Sequence, residues 1–181
     1  STVYTYGNDA YDAMIDAIDS ATESVRFETF IWKSDASGQR FRDAFVRAAD
    51  RGVRVELVWD AMGKYLFTDG LRHPEFFDFD DHPNIHTRSH PLLLGGLLFW
   101  HPRNHGANHR KILTVDHRVG FIGGYNIGDN YATDWRDTHV RIQGPAVLEL
   151  ENAFVDYWNL FAPRAEKLPA VEGRSWEPHV N

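Results

Sequence analysis

The feature that most constrains the fold is a pair of apolar segments separated by one amphipathic helix. Residues 25–32 (VRFETFIW) and 53–60 (VRVELVWD) are rich in β-branched and aromatic residues, which favours strands. Between them, residues 37–50 place Phe41, Phe45 and Val46 on one face of a helix that ends before Gly52. Strands joined through such a helix pair in parallel with a right-handed crossover. The pattern predicts an α/β fold with a mixed, largely parallel β-sheet flanked by helices.

Capping residues and periodicity extend this pattern along the chain. The other predicted elements are a helix from a cap at Asn8 or Asp9 to about Thr22, strands at 111–116, 119–123 and 138–142, and a helix opened by Pro145. Residues 61–106 contain four prolines and are predicted to be irregular; loops of that length tend to be functional. We expect residues 1–161 to form one domain and residues 162–181 to be a tail or linker toward a possible second domain.

Charge and composition narrow the possible ligands. A net charge of −7 is unfavourable for a dedicated nucleic-acid-binding protein, which usually presents a basic face. Between residues 101 and 118 the balance reverses, with four cationic residues and four histidines against one aspartate, which indicates an anionic substrate bound at one place. The absence of cysteine excludes disulfides and thiolate metal sites. The apolar run at 91–100 is shorter than the ~20 residues that span a bilayer.

Polar residues interrupt two predicted strands in the segment 108–126, NHRKILTVDHRVGFIGGYN. His109 and Lys111 lie two residues apart and should project from one face, whereas Arg110 should point away. Gly123 and Gly124 allow the returning strand to bend and its backbone to approach a ligand, and Asn126 can donate its amide. These residues together describe a phosphate site, but a surface hairpin with solvated side chains explains the pattern equally well.

The segment resembles the HxKxxxxD motif of the phospholipase D superfamily at every defining position, including its Gly-Gly-x-Asn extension. FETFIW followed by DASG, then VELVWDAMG, and WRDTHVRIQGPAV before a helix, are similar to the amino-terminal half of bacterial cardiolipin synthases. The likeness extends to about residue 161 and implies a phospholipase D-like domain with one such motif.

The resemblance also implies a mechanism and roles for the site residues. One motif histidine attacks a phosphodiester to give a phosphohistidine, a second protonates the leaving alcohol, and no metal is required. His109 is expected to be the nucleophile, or the acid if the partner motif takes the other role. Lys111 and Asn126 are expected to bind the non-bridging oxygens. Further expected site residues are Gly124 and Glu28 near the substrate, Asp137 (with Asp134 as competitor) orienting the imidazole, and Asp116 and Gly123 holding the hairpin.

One departure from the family pattern is that the chain contains a single HxK sequence, although the reaction needs two histidines. The second half is expected either from a second copy in a homodimer or from the same longer chain, and we favour a fragment or natural half of a two-motif synthase. The expected partners are a phospholipid and the membrane surface, and the expected location is the bacterial cytoplasmic membrane or the cytoplasm.

Three alternatives remain open. The same chemistry could cleave DNA, although the acidic charge and the Leu-rich segment 92–100 favour lipid. The chain could be an inactive half that only packs against a partner. His101, His105 and His109 fall four apart and could hold a metal on a helix, although Pro102 and Gly106 disfavour that helix.

Overall fold

A seven-stranded sheet with helices on its two faces forms the centre of the protein. The computed structural model describes residues 1–66, 68, 72–79, 82–90 and 108–171. The strands are β1 (Thr2–Tyr4), β2 (Ser24–Thr29), β3 (Arg54–Asp60), β4 (Ile85–His90), β5 (Ile112–Val115), β6 (Val119–Gly123) and β7 (His139–Gln143). The α-helices are α1 (Gly7–Asp19), α2 (Ala36–Asp50), α3 (Ala61–Leu66), α4 (Asp129–Thr133) and α5 (Ala146–Phe161), with 3₁₀ turns at Pro74–Phe77 and Arg164–Glu166.

The β2–α2–β3 unit has the parallel pairing that the sequence predicts. Asp35 caps α2, because its side chain accepts a hydrogen bond from the N–H of Gly38 at 3.1 Å. After α2 ends, Gly52 adopts φ +90° and turns the chain into β3. β2 and β3 then pair in parallel from Ser24 opposite Arg54 to Thr29 opposite Trp59.

The strand order is β1-β7-β6-β5-β2-β3-β4, which confirms a mixed sheet of the α/β class. β2, β3 and β4 pair in parallel, and the other neighbours in the described sheet pair antiparallel. Five of the seven strands run in one direction, and β5 and β7 run in the opposite direction.

The structure corrects the predicted start of α1 and the predicted irregularity of residues 61–106, and it adds several short elements. Helix α1 begins at Gly7 and ends at Asp19, so that Asn8 and Asp9 lie inside its first turn and cap nothing. The region 61–106 is not irregular throughout, because it contains α3, a 3₁₀ turn and β4. β4 (IHTRSH) was missed because it is an edge strand of mostly polar residues, without the apolar alternation that marks a strand. The three-residue strand β1 and the five-residue helix α4 are too short to give a periodic signal.

The apolar core lies between the sheet and helices α1 and α2. Trp32 is 1% exposed and packs its ring against those of Phe27, Phe45 and Phe76 at centroid distances of 5.4–5.8 Å. On the other face α5 packs a smaller core around Phe154 and Trp158. Among the described residues, no helix has the length and apolar character needed to cross a membrane.

Candidate active site

The hairpin β5–β6 is held at its turn by one carboxylate. Asp116 and His117 adopt the left-handed conformation, with φ values of 51° and 58°. Asp116 Oδ1 accepts hydrogen bonds from the main-chain N–H groups of Glu23 and Ser24 at 2.8 and 2.9 Å, and Oδ2 accepts from the N–H and hydroxyl of Thr22 at 2.8 and 2.9 Å. Burial raises the pKa of Asp116, but these hydrogen bonds outweigh burial and lower it. The turn is thereby tied to the entry of β2.

His109 and Lys111 lie together beside Phe30, at the carboxyl end of β2. The rings of His109 and Phe30 have centroids 5.0 Å apart, and Lys111 Nζ lies 5.6 Å from the Phe30 centroid. Lys111 is only 4% exposed, and its ammonium donates a hydrogen bond to the main-chain oxygen of His109 at 2.7 Å. His109 itself is exposed. An accessible imidazole therefore stands next to a buried cation, as the alternation of side chains predicts.

Arg110 points to the opposite face, as expected. Its guanidinium lies 2.9 Å from Glu28 Oε1 and donates to the main-chain oxygen of Ala153 in α5 at 3.1 Å. Glu28 is fully buried and also accepts a hydrogen bond from the Asn108 amide, while the N–H of Asn108 donates to Asp60 at 2.7 Å. Burial raises the pKa of Glu28, and Arg110 and Asn108 oppose that rise. Glu28 thus contacts the residues on either side of His109 rather than the face that carries His109 and Lys111.

Asn126 is fixed with its amide oxygen already occupied. Asn126 is 8% exposed, and its Oδ1 accepts a hydrogen bond from the N–H of Ile31 at 3.1 Å. Its main-chain oxygen accepts a hydrogen bond from the hydroxyl of Tyr11 in α1. Because a main-chain N–H can only donate, the oxygen of the amide must face Ile31 and Nδ2 remains as the donor. Asn126 thus binds Ile31, the residue next to Phe30, whose ring contacts His109 and Lys111.

The two adjacent glycines make room for one side chain at the start of β7 and one just before it. A Cβ atom on Gly123 would lie 2.6 Å from Nδ1 of His139, and a Cβ atom on Gly124 would lie 2.1 Å from Oδ2 of Asp137. Both positions are therefore filled by the neighbouring strand, and any larger residue would displace it. The glycines thus allow two segments of the same chain to approach each other closely. The sequence analysis predicted a close approach to a ligand instead.

The charged groups of the site shift one another's pKa values. Burial lowers the pKa of Lys111 to about 8, and Asp137 opposes this shift. Burial and then the Lys111 ammonium lower the pKa of His109, again opposed by Asp137. Among the described residues, no hydrogen bond or ion pair joins Asp137 to His109. At neutral pH the site presents a neutral imidazole, which is the nucleophilic form, beside an ammonium ion.

Of the two aspartates that the sequence left open, Asp137 is the one that interacts electrostatically with His109 and Lys111. Asp134 is exposed and accepts a hydrogen bond from the hydroxyl of Thr133 at 2.9 Å. The structure also brings in two residues to which the sequence analysis gave no role at the site, Tyr11 and His139. Tyr11 gave no signal because it contributes through a contact 115 residues away.

Several sequence predictions fall on residues outside the described ranges. These are the Leu-rich segment 92–100, His101, His105 and the residues from 172 onward. Within the described part of the chain, no group of three or more histidine or acidic residues is arranged to hold a metal ion. A cleft of about 1010 Å³ opens beside α2, lined by Lys33, Arg42 and Phe76 among others, but none of its described lining residues belongs to the motif.

Comparison with known proteins places these residues in a family. A family model described as "Cardiolipin synthase, PLD-like domain" matches residues 14–158. A cardiolipin synthase of Staphylococcus aureus is 33% identical over 168 residues, which cover 90% of this chain and 33% of that protein. The major cardiolipin synthase ClsA of Bacillus subtilis is 31% identical over 171 residues, 87% of this chain and 32% of that protein. The chain spans about a third of the length of these relatives.

Solved structures share the fold at lower identity. NucT from Helicobacter pylori superposes with a TM-score of 0.67 at 17% identity, covering 87% of this chain and 94% of that one. Nuc from Salmonella typhimurium, a phospholipase D family member, gives 0.67 at 21% identity with the same coverage. The phosphatidylserine synthase of Haemophilus influenzae gives 0.59 at 17% identity, covering 87% of this chain and 36% of that chain.

Proposed function

The chain belongs to the phospholipase D-like domain family of the cardiolipin synthases, and on that premise we propose that it is one half of a phosphatidyltransferase that works through a phosphohistidine. In this proposal His109 is the nucleophile, Lys111 and Asn126 bind the phosphate, and Gly124 lets the backbone approach it. The observation that carries the proposal is the buried Lys111 ammonium beside an accessible, neutral His109.

The arrangement supports a displacement at phosphorus. A ring nitrogen of His109 attacks the phosphodiester, a P–N bond forms, and the bond to the leaving alcohol breaks. The non-bridging oxygens gain negative charge in this step, and two preorganised donors, Lys111 Nζ and Asn126 Nδ2, are suited to stabilise it. An acceptor alcohol or water then gives its proton to the histidine of the second motif and attacks phosphorus, and the P–N bond to His109 breaks. Asp137, through its electrostatic interaction with His109, favours the cationic ring at the stage when the P–N bond is complete.

The leaving alcohol must receive a proton from a second histidine. His139 is 1% exposed and cannot reach a bound substrate without rearrangement, so the acid must come from a second motif. The relatives are about three times as long as the chain, which favours a second half in a longer protein over a homodimer. In this assembly the phospholipid would bind at a bacterial membrane surface.

A substrate with a good leaving group tests the nucleophile without the second half. The anion p-nitrophenolate leaves without protonation near neutral pH, so bis(p-nitrophenyl) phosphate needs no general acid in the first step. We expect the chain to release about one equivalent of p-nitrophenolate and to gain the corresponding mass on His109. Replacing His109 by Ala should abolish both signals, whereas His73→Ala, at a histidine outside the motif, should change neither. Release without a covalent adduct would exclude the phosphohistidine.

Substrate class is tested in the two-motif assembly. We expect phosphatidylglycerol to be converted and short DNA to be left intact. Selective cleavage of DNA would instead establish a phosphodiesterase of the nuclease type. Two negative results together would refute the proposal: no turnover of either substrate by the assembly, and no adduct of His109 with the nitrophenyl ester. The chain would then be an inactive half that only packs against a partner.

A further inference from the structure

The most unusual polar group near the site is the imidazole of His139. His139 is 1% exposed, and neither ring nitrogen has a hydrogen-bond partner among the described residues. Buried polar side chains are nearly always hydrogen-bonded, so an exception of this kind calls for a partner that is supplied in another state of the protein. The HxKxxxxD motif does not include this position, and His139 is followed by Val140 and Arg141, so that it does not begin a second HxK.

The register of the sheet explains where this imidazole lies. His139 on β7 is paired with Gly123 on β6, and Ile122 is paired with Ile112, so Lys111 lies across from Gly123. Residues directly opposite in antiparallel strands project to the same face. Gly123 has no side chain, and the His139 ring occupies the space above it. Gly123 therefore places no side chain between the His139 ring and the Lys111 side chain.

The groups around the ring have complementary hydrogen-bonding chemistry. The Lys111 ammonium can only donate, and one of its three protons is used on the His109 carbonyl at 2.7 Å. The Asp137 carboxylate can only accept, and its Oδ1 accepts a bond from the N–H of Thr138 at 2.7 Å. Two tyrosines are the other titratable groups near the His139 ring in the described part of the chain. The ring centroid of Tyr125 lies 6.2 Å away, and Tyr4 on β1 is paired with His139.

We propose that His139 is a positioning residue that bridges the cation and the carboxylate of the site when phosphate is bound. Its N–H then donates to Asp137, and its unprotonated nitrogen accepts a hydrogen bond from Lys111. The inference rests on the proposed function, because it is the bound phosphate that draws the ammonium away from the His109 carbonyl. The bridge keeps Lys111 and Asp137 from pairing directly, so that the ammonium remains available to the anion.

The bridge needs a neutral imidazole, which has one donor and one acceptor. Burial lowers the pKa of His139 to about 4; Asp137 opposes this shift and Lys111 reinforces it. The ring is therefore neutral near pH 7. A lone pair directed at Lys111 favours the charged ammonium, against the burial that lowers the pKa of Lys111 to about 8.

The charge of Lys111 can be followed directly, because the chain has only four lysines. With ¹³Cε-labelled lysine, the Lys111 signal is assigned by Lys111→Arg, and its pKa is measured by NMR with and without saturating inorganic phosphate. Two variants separate hydrogen bonding from packing: His139→Phe keeps an aromatic ring without nitrogen, and His139→Gln keeps one donor and one acceptor.

With phosphate bound, we expect His139→Phe to lower the pKa of Lys111 by about one unit and His139→Gln to leave it nearly unchanged. Because the bridge stabilises the charged ammonium only in the complex, phosphate affinity in His139→Phe should fall about tenfold at pH 6, where Lys111 is charged. The loss should become smaller as the pH rises above the pKa of Lys111 in the complex. A purely structural role would weaken binding equally at every pH and would leave the pKa of Lys111 in the complex unchanged, and that result would overturn the bridge.

Two further outcomes are decisive. In the unsubstituted protein, a His139 ring that titrates near its ordinary pKa would exclude the bridge even if His139→Phe fails to fold. Wild-type protein that binds no phosphate, with Lys111 unperturbed, would instead refute the proposed function and this inference with it. Normal phosphate binding combined with equal Lys111 pKa values in all folded variants would refute the bridge alone.

Discussion

Replacing Asp116 by Asn should damage stability far more than chemistry. The carboxylate accepts four hydrogen bonds, two on each oxygen, from Thr22, Glu23 and Ser24. An Asn side chain is nearly the same size and tolerates the left-handed φ of 51° at this position. The substitution therefore tests the hydrogen bonds without adding backbone strain.

The magnitude follows from what the amide can still accept. Its oxygen can keep two of the bonds, but its NH₂ group faces the N–H of Thr22, which loses its acceptor; the Thr22 hydroxyl can rotate and accept. A donor left unsatisfied costs about 1–3 kcal/mol, and the remaining bonds lose the contribution of a charged acceptor. We expect the free energy of unfolding to fall by about 3 kcal/mol, which corresponds to a loss of roughly 6–12 °C in Tm for a domain of this size.

Thermal unfolding followed by circular dichroism measures the effect, with Asp156→Asn, at an exposed position on α5, as the matched control. Because the pKa of Asp116 is lowered in the folded state, its contribution is fully present above its ordinary pKa and is lost as pH falls through the folded value. The difference in Tm should thus be constant from about pH 7 to 5 and narrow below roughly pH 4. A Tm within about 1 °C of wild type, together with nitrophenolate release as low as in His109→Ala, would refute the structural role.

The remaining predictions concern the chemistry. Turnover by the two-motif assembly should be abolished in His109→Ala, and normal turnover by that variant, folded by circular dichroism, would remove His109 from the mechanism. Lys111→Ala and Asn126→Ala should each lower kcat/KM by about 10²–10³ through lost stabilisation of charge on the phosphate oxygens, and a change below about threefold would argue against that role. Gly124→Ala should reduce turnover through displacement of Asp137, and a crystal structure with Asp137 unmoved and full activity would contradict this. EDTA and zinc should leave turnover unchanged; loss of activity on chelation that zinc restores would indicate a metal-dependent step.

The parts of the fold that were predictable from sequence are those with strong local signals. The β2–α2–β3 unit combines apolar strands, an amphipathic helix and a glycine stop, and each of these signals acts within a few residues. β4 was not predictable because its partner β3 supplies the apolar contacts that its own polar sequence lacks. The capping rule places the start of α1 at Asn8 or Asp9. The helix begins earlier, at Gly7, and no side chain caps it.

The residues of the candidate site also fall into those with a local sequence signal and those without one. The alternation of His109, Arg110 and Lys111 is local, and the sequence predicts their faces. The reason for the paired glycines is not local, because it depends on which residues of β7 come to lie against them. His139 could be recognised only once the register of β6 and β7 was known. The sequence contains no signal for the side chain that fills the space above Gly123.

The link between Tyr11 and Asn126 has a consequence for folding kinetics. This hydrogen bond closes 115 residues of chain, and the contact between Asp116 and Thr22 closes 94. During synthesis β2 and β3 can pair early, but β1 has no partner until β7 has left the ribosome, since β7 is its neighbour in the sheet. Contacts of such long range slow folding, because the entropy of loop closure is lost before they form. The proposed phosphate site should therefore be among the last parts to become ordered, and a nascent chain that ends before β7 should expose β1 as an unpaired edge.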